Sequence, residues 1–222
     1  MREGTRNAVR ETEAPAAEFS LEEPLSSLLS TTRDVLFSPR RFFGGLAPDG
    51  PLREPVLYFL ICSTVTAVIN TAAGLAFLAV PVGIAFVTGS PDDGLLVPIL
   101  AVFLFASLVA LPLLFVAGFF VSVPIQHALI FLVAGRDQKG LSATLRVSCY
   151  SVGAPVAVAW IPLVGIPAVF YCFYLHATGL KRVHEVSAGR SVGATVMLVA
   201  LLLVLVVAVA IYDYGLIREA MG

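Results

Sequence analysis

Residues 191–212 read SVGATVMLVALLLVLVVAVAIY, twenty-two consecutive residues without Asp, Glu, Lys or Arg. A bilayer demands about 20 apolar residues for each spanning helix, and a soluble core has no need of such a run. Three more charge-free stretches precede it. Together the runs between Glu54 and Asp92, Asp93 and Arg136, Arg146 and Lys181, and Arg190 and Asp213 hold 135 of the 222 residues. The chain is 58% hydrophobic and only 13% charged, about half the charge of an ordinary soluble domain. These figures exclude a soluble enzyme and a disulfide-built secreted scaffold. A formal net charge of −1 leaves no global basic field for nucleic acid.

The runs divide into helices by length and turn chemistry. The stretch Val147–Leu180 exceeds one helix and is interrupted by Ile161-Pro162-Leu163-Val164-Gly165-Ile166-Pro167. Two short helices, over 141–160 and 163–180, are expected as a tight hairpin, with a re-entrant pair as the alternative. One helix is expected over 55–79, ending before Pro81 and Gly83, with 81–90 at the surface. Residues 95–133 contain no polar turn, so one long helix is expected, kinked at Pro112 or Pro124 and overrunning the bilayer.

Basic residues set the orientation. With five spans, the tail before the first span, loop 134–146 and loop 181–190 share one side, with 13 of the 14 Lys and Arg residues on it. The reading is therefore an all-α integral membrane protein with five transmembrane helices, N-terminus cytoplasmic and C-terminus outside. Its parts are a disordered tail (1–18), a cytoplasmic amphipathic and interfacial segment (19–54), a membrane domain (55–216) and a short outer tail (217–222). Residues 1–18 mix Arg and Glu, so no cleavable signal peptide is expected and the first span serves as its own insertion signal.

Within the amphipathic segment, Ser20-Leu21-Glu22-Glu23 matches a capping box. Leu21, Leu25, Leu28, Leu29, Thr32, Val35 and Leu36 then share one helical face, which lies in the interface or packs on the bundle. Ser38-Pro39 restarts a short helix carrying Arg40-Arg41-Phe42-Phe43. Arg beside aromatics suits the headgroup layer. These four are candidates for docking on a lipid or partner, or more simply for an interfacial anchor.

A series of short motifs resembles the YIP1 (Yip1-domain) family of multi-spanning membrane proteins. It begins at Leu36-Phe37-Ser38-Pro39-Arg40-Arg41-Phe42-Phe43 and continues with Pro55, His127 through Gly135, and Thr144-Leu145-Arg146-Val147. It goes on through Tyr150-Ser151, Ala154-Pro155 and Ile161-Pro162-Leu163-Val164-Gly165, and ends at Gly179-Leu180 and Val183-His184-Glu185-Val186-Ser187. The resemblance covers roughly residues 33–215. It implies five spans with a cytoplasmic N-terminus, a link in eukaryotic members to vesicle traffic and prenylated Rab GTPases, and no catalytic residues to carry over.

Polar residues inside a membrane are costly and mark candidate sites. The five-span arrangement collects His127, Arg146, Tyr150, His176, Lys181, Arg182 and His184 at the cytoplasmic end of the bundle. They form a candidate site for a headgroup, an anion or a protein, or simply snorkelling and interhelical hydrogen bonds. The histidines lack metal-ligand spacing, and no paired carboxylates, HExxH or phosphate loop is present. No catalytic residue, metal or cofactor is expected. Cys62, Cys149 and Cys172 read as buried hydrophobes. The functional expectation is a non-enzymatic membrane protein with an interaction or membrane-organisation role. Its partners are the lipid bilayer and a membrane or cytoplasmic protein, with no nucleic acid. A transporter, channel component or lipid handler using the polar cluster is the alternative. Abundant Arg, Ala and Gly suit a GC-rich bacterium, hence the cell membrane; a eukaryotic host would imply the Golgi or endoplasmic reticulum.

Overall fold

The computed structural model describes residues 18–88, 99–100, 102–135 and 138–221. Their regular elements are all helices, with no strand among the described residues. In chain order the helices are α1 (Pro24–Phe37), α2 (Pro39–Gly45), α3 (Arg53–Thr88), α4 (Val102–Ala134), α5 (Leu141–Val158), α6 (Gly165–Val183) and α7 (Ala188–Met221). Three of them contain segments long and apolar enough to cross a membrane: Arg53–Phe77 in α3, Val102–Ala134 in α4 and Ala188–Tyr212 in α7.

The helix α3 does not stop before Pro81. It runs unbroken to Thr88. A proline removes one backbone hydrogen bond, but an apolar surrounding offers the chain no better alternative than to stay helical. The expected surface segment 81–90 is therefore helix as far as Thr88, and residues 89 and 90 lie outside the described residues. The long α4 is undivided, as its lack of polar turn residues implies. It contains a π-helical turn at Ala106–Ala110, closed by Leu111 N–H donating to the Ala106 carbonyl, just before Pro112. Pro112 has no N–H and its ring would strike the carbonyl four residues back, so the widened turn takes up the misfit. At about 1.5 Å per residue, the 33-residue helix is about 50 Å long and overruns a ~30 Å hydrocarbon core.

The hairpin between α5 and α6 falls at 159–164, with Leu163 at φ 68°. The helix α5 is the most enclosed of all. Eleven of its 18 residues are buried, from Ala143 to Pro155. It packs between α3 and α6, with α1 also against it. Two close approaches let this happen. A Cβ on Gly153 would lie 2.9 Å from the Tyr58 ring, and one on Gly179 would lie 2.6 Å from Val147 Cγ1. The helix α7 continues to Met221, through the expected outer tail.

The N-terminal segment is folded onto the bundle. Its helix begins at Pro24, not at the expected capping box, and Glu23 occupies the cap position without capping a helix N–H, its Oε2 instead accepting from Ser26 Oγ at 2.9 Å. The residue before a proline is disfavoured in helical conformation, so Glu23 cannot belong to the first turn. Ser27 closes the entry instead. Its Oγ donates to the Ser20 carbonyl at 2.9 Å and lies 3.1 Å from the Ser20 N–H, for which it is the acceptor. Thr31 and Val35 are buried, with Leu28 and Leu36 packed on the core. Leu25 and Leu29, assigned to the same face, remain exposed.

Candidate functional site

The N-terminal half of α5 positions the first cluster. Arg146 is 1% exposed. Its Nη2 forms an ion pair with Glu18 Oε2 at 2.5 Å, and its Nη1 donates to the Pro51 carbonyl. One turn on, Tyr150 donates its hydroxyl to the same Glu18 oxygen at 3.1 Å. The Tyr150 ring lies 5.0 Å from Phe42, edge to face, and 5.2 Å from Tyr58. Gly50 leaves room for the guanidinium, since a Cβ there would fall 2.6 Å from Arg146 Cζ. Buried charges persist when paired and hydrogen-bonded. Arg146 and Tyr150 therefore clamp the N-terminal segment to the bundle. Glu18, expected in the disordered tail, is the residue that sequence reading missed. Phe19 beside it is 2% exposed and packs 6.1 Å from Tyr58. Residues 1–17 of that expected tail lie outside the described residues.

The second cluster joins three helices through one hydroxyl. His127 Nδ1 of α4 lies 2.9 Å from Thr144 Oγ1 of α5, which lies 3.1 Å from His184 Nε2 at the end of α6. The two imidazole rings are 6.4 Å apart. Lys139 pairs with Glu185 at 3.7 Å close by. Burial, then the charges of His127 and Lys139, push the His184 imidazole down to about 4. Between pH 6.5 and 4 the unfolded chain takes up a proton that folded His184 refuses. Its contribution to stability is therefore whole above pH 6.5 and is lost as pH falls toward 4. Thermal unfolding in detergent is expected to show the midpoint falling across that window. His184→Gln should flatten the fall, and an equally steep profile in the variant would remove His184 as its source.

His176 is separate from these two clusters. Its Nδ1 lies 3.0 Å from Ser151 Oγ, and it is 7% exposed.

The third cluster brings together residues from different parts of the sequence. Arg40 of α2 and Lys181 and Arg182 of α6 line one cleft of about 300 Å³, with Tyr174, Thr178 and Ser191 among its walls. All three cations are exposed. Such a set of donors suits an anionic, phosphate-bearing group. Of the expected docking quartet, Arg41 is exposed but does not line this cleft. Phe42 and Phe43 are 2% and 1% exposed and belong to the hydrophobic core, so they present no surface to a lipid or a partner. The helix α2 turns both rings inward, where they meet each other edge to face at 5.4 Å.

The family model described as the Yip1 domain matches residues 33–211. No curated protein matches the chain, and no solved structure does.

Proposed function

The chain belongs to the Yip1 family, and from that premise we propose that it is a non-enzymatic, five-span membrane protein that organises its membrane at the cytoplasmic face by holding anionic headgroups. The helices α3, α4, α5, α6 and α7 are the five spans, with the N-terminus cytoplasmic and the C-terminus outside. The lower hydropathy of α5 fits a helix enclosed by its neighbours, whereas α6 leaves Ile166, Val169 and Phe170 exposed for lipid to cover. The positive-inside rule supports this orientation, because it places 13 of 14 basic residues on one side. In a bacterium the membrane would be the cell membrane; in a eukaryote, that of the Golgi or endoplasmic reticulum.

The observation that carries the functional reading is the convergence of Arg40, Lys181 and Arg182 on one cleft beside a folded N-terminal cap. Basic residues near an anionic membrane surface each contribute about 1 kcal/mol. The full-length protein in nanodiscs of mixed phosphatidylcholine and phosphatidylglycerol should retain phosphatidylglycerol selectively, as counted by native mass spectrometry. Arg40→Glu, Lys181→Glu and Arg182→Glu combined should abolish that preference. Equal retention by the wild type and the triple variant would refute the reading.

A further inference from the structure

A cavity of about 460 Å³ lies between α4, α5, α6 and α7, a volume typical of ligand pockets. Most of its wall is apolar, with Leu114 and Phe119 from α4 and Leu202 and Val206 from α7. At one end Gln126, Ser148 and His176 meet from three different helices. They are 1%, 3% and 7% exposed. Neither atom of the Gln126 amide, nor Ser148 Oγ, nor His176 Nε2 has a hydrogen-bond partner. Buried polar groups are nearly always satisfied, so four unpartnered atoms on three residues that line one cavity point to an occupant these side chains turn to meet. Thr195, also in the wall, is satisfied by donating to the Ser191 carbonyl at 2.9 Å.

The chemistry of that end defines what it takes. Ser151 Oγ lies 3.3 Å from the Ser148 carbonyl and 3.0 Å from His176 Nδ1, and its single proton serves one of them. His176 Nε2 therefore offers an acceptor or a donor according to the tautomer, and a hydroxyl can answer either. The Gln126 amide offers both a donor and an acceptor, and Ser148 offers a hydroxyl. No Asp, Glu, Lys or Arg lines the cavity. An ionised head would enter without a counter-charge and is disfavoured. From Gln126 to Leu114 the helical rise spans about 18 Å, close to half of a ~30 Å hydrocarbon core, the reach of one lipid tail.

We propose that this cavity binds a neutral, hydroxyl-bearing, single-chain lipid, with its head on Gln126, Ser148 and His176 and its tail between α4 and α7. The proposal rests on the membrane reading of these helices and is independent of the basic cleft.

The test uses the full-length protein in phosphatidylcholine nanodiscs, titrated with monopalmitoylglycerol and read by native mass spectrometry. One equivalent should bind saturably. Gln126→Leu and Ser148→Ala should each weaken binding about tenfold, the loss of one hydrogen-bonded contact. Leu202→Trp, at a partly exposed wall position, should fill the tail space and abolish binding while leaving the fold intact. Palmitate and phosphatidylglycerol should not compete. Without added lipid, Gln126→Leu should hold or raise the thermal midpoint, because it removes an unpartnered amide. Absent saturable binding, unchanged affinity in the variants, equal competition by palmitate, or loss of stability in lipid-free Gln126→Leu would each overturn the proposal. Those failures would leave the phosphatidylglycerol preference of the Arg40, Lys181 and Arg182 cleft untouched, so the two readings fall separately.

Discussion

Glu18→Ala should destabilise the protein by about 3 kcal/mol or more, the loss seen when a buried ion pair loses one partner. The effect is unequal on the two sides. Arg146 is 1% exposed, whereas the Glu18 side chain is 26% exposed. Removing Glu18 strands a guanidinium that water cannot easily reach, and leaves the Tyr150 hydroxyl without its acceptor. Removing the charge at Arg146 leaves a carboxylate that can turn toward water. Arg146→Met should therefore cost less than Glu18→Ala, and Arg146→Met should rescue much of the Glu18→Ala loss when the two are combined. Unfolding in mixed micelles, followed for the two single variants and the double, measures the coupling directly. A Glu18→Ala protein within about 0.5 kcal/mol of wild type, the range of ordinary surface changes, would show that the pair does not hold the N-terminal segment down.

Phe43→Ala should cost about 3–5 kcal/mol, the range for emptying a buried aromatic site. Its ring lies against Phe42 and within 3.1 Å of where a Cβ on Gly179 would sit, so the space it leaves is bounded by packed helices on several sides. The same unfolding experiment in detergent, with no bilayer present, separates two roles. An interfacial anchor would lose little there, since its contacts are with lipid. A core residue loses its full contribution in any solvent. Arg41→Ala, at an exposed position of the same short helix, should change stability by less than about 0.5 kcal/mol and serves as the internal control.

Both predictions concern residues that the sequence marks only ambiguously. Phe42 and Phe43 beside two arginines fit a headgroup anchor and a core insertion equally well, because a seven-residue helix carries too few turns for periodicity to assign its faces. The burial of Arg146 has no local sign either. A lone Arg at the start of an apolar run reads as a snorkelling residue until Glu18, 128 positions away, is seen to reach it. The split of the amphipathic stripe of α1, with Leu25 and Leu29 left exposed, likewise depends on how that helix sits against α5. Pro24 is the local determinant of that helix's start, since its restriction on Glu23 moves the start past the Ser20 capping pattern.

The sequence by itself determined the all-helical class, the undivided α4, the two-helix hairpin around Pro162 and the family. Each depends on features readable within one window: charge-free length, the absence or presence of turn residues, and an ordered series of short motifs. Only the tertiary structure decided that Glu18, Arg146 and Tyr150 close into one clamp, that Thr144 joins two histidines, that Arg40 meets Lys181 and Arg182, and that three residues with unpartnered polar groups line a shared cavity. Those pairings link residues tens to more than a hundred positions apart. They arise from the rotation of each helix about its own axis, and in a chain apolar on nearly every face that rotation is set by packing rather than by hydrophobic pattern.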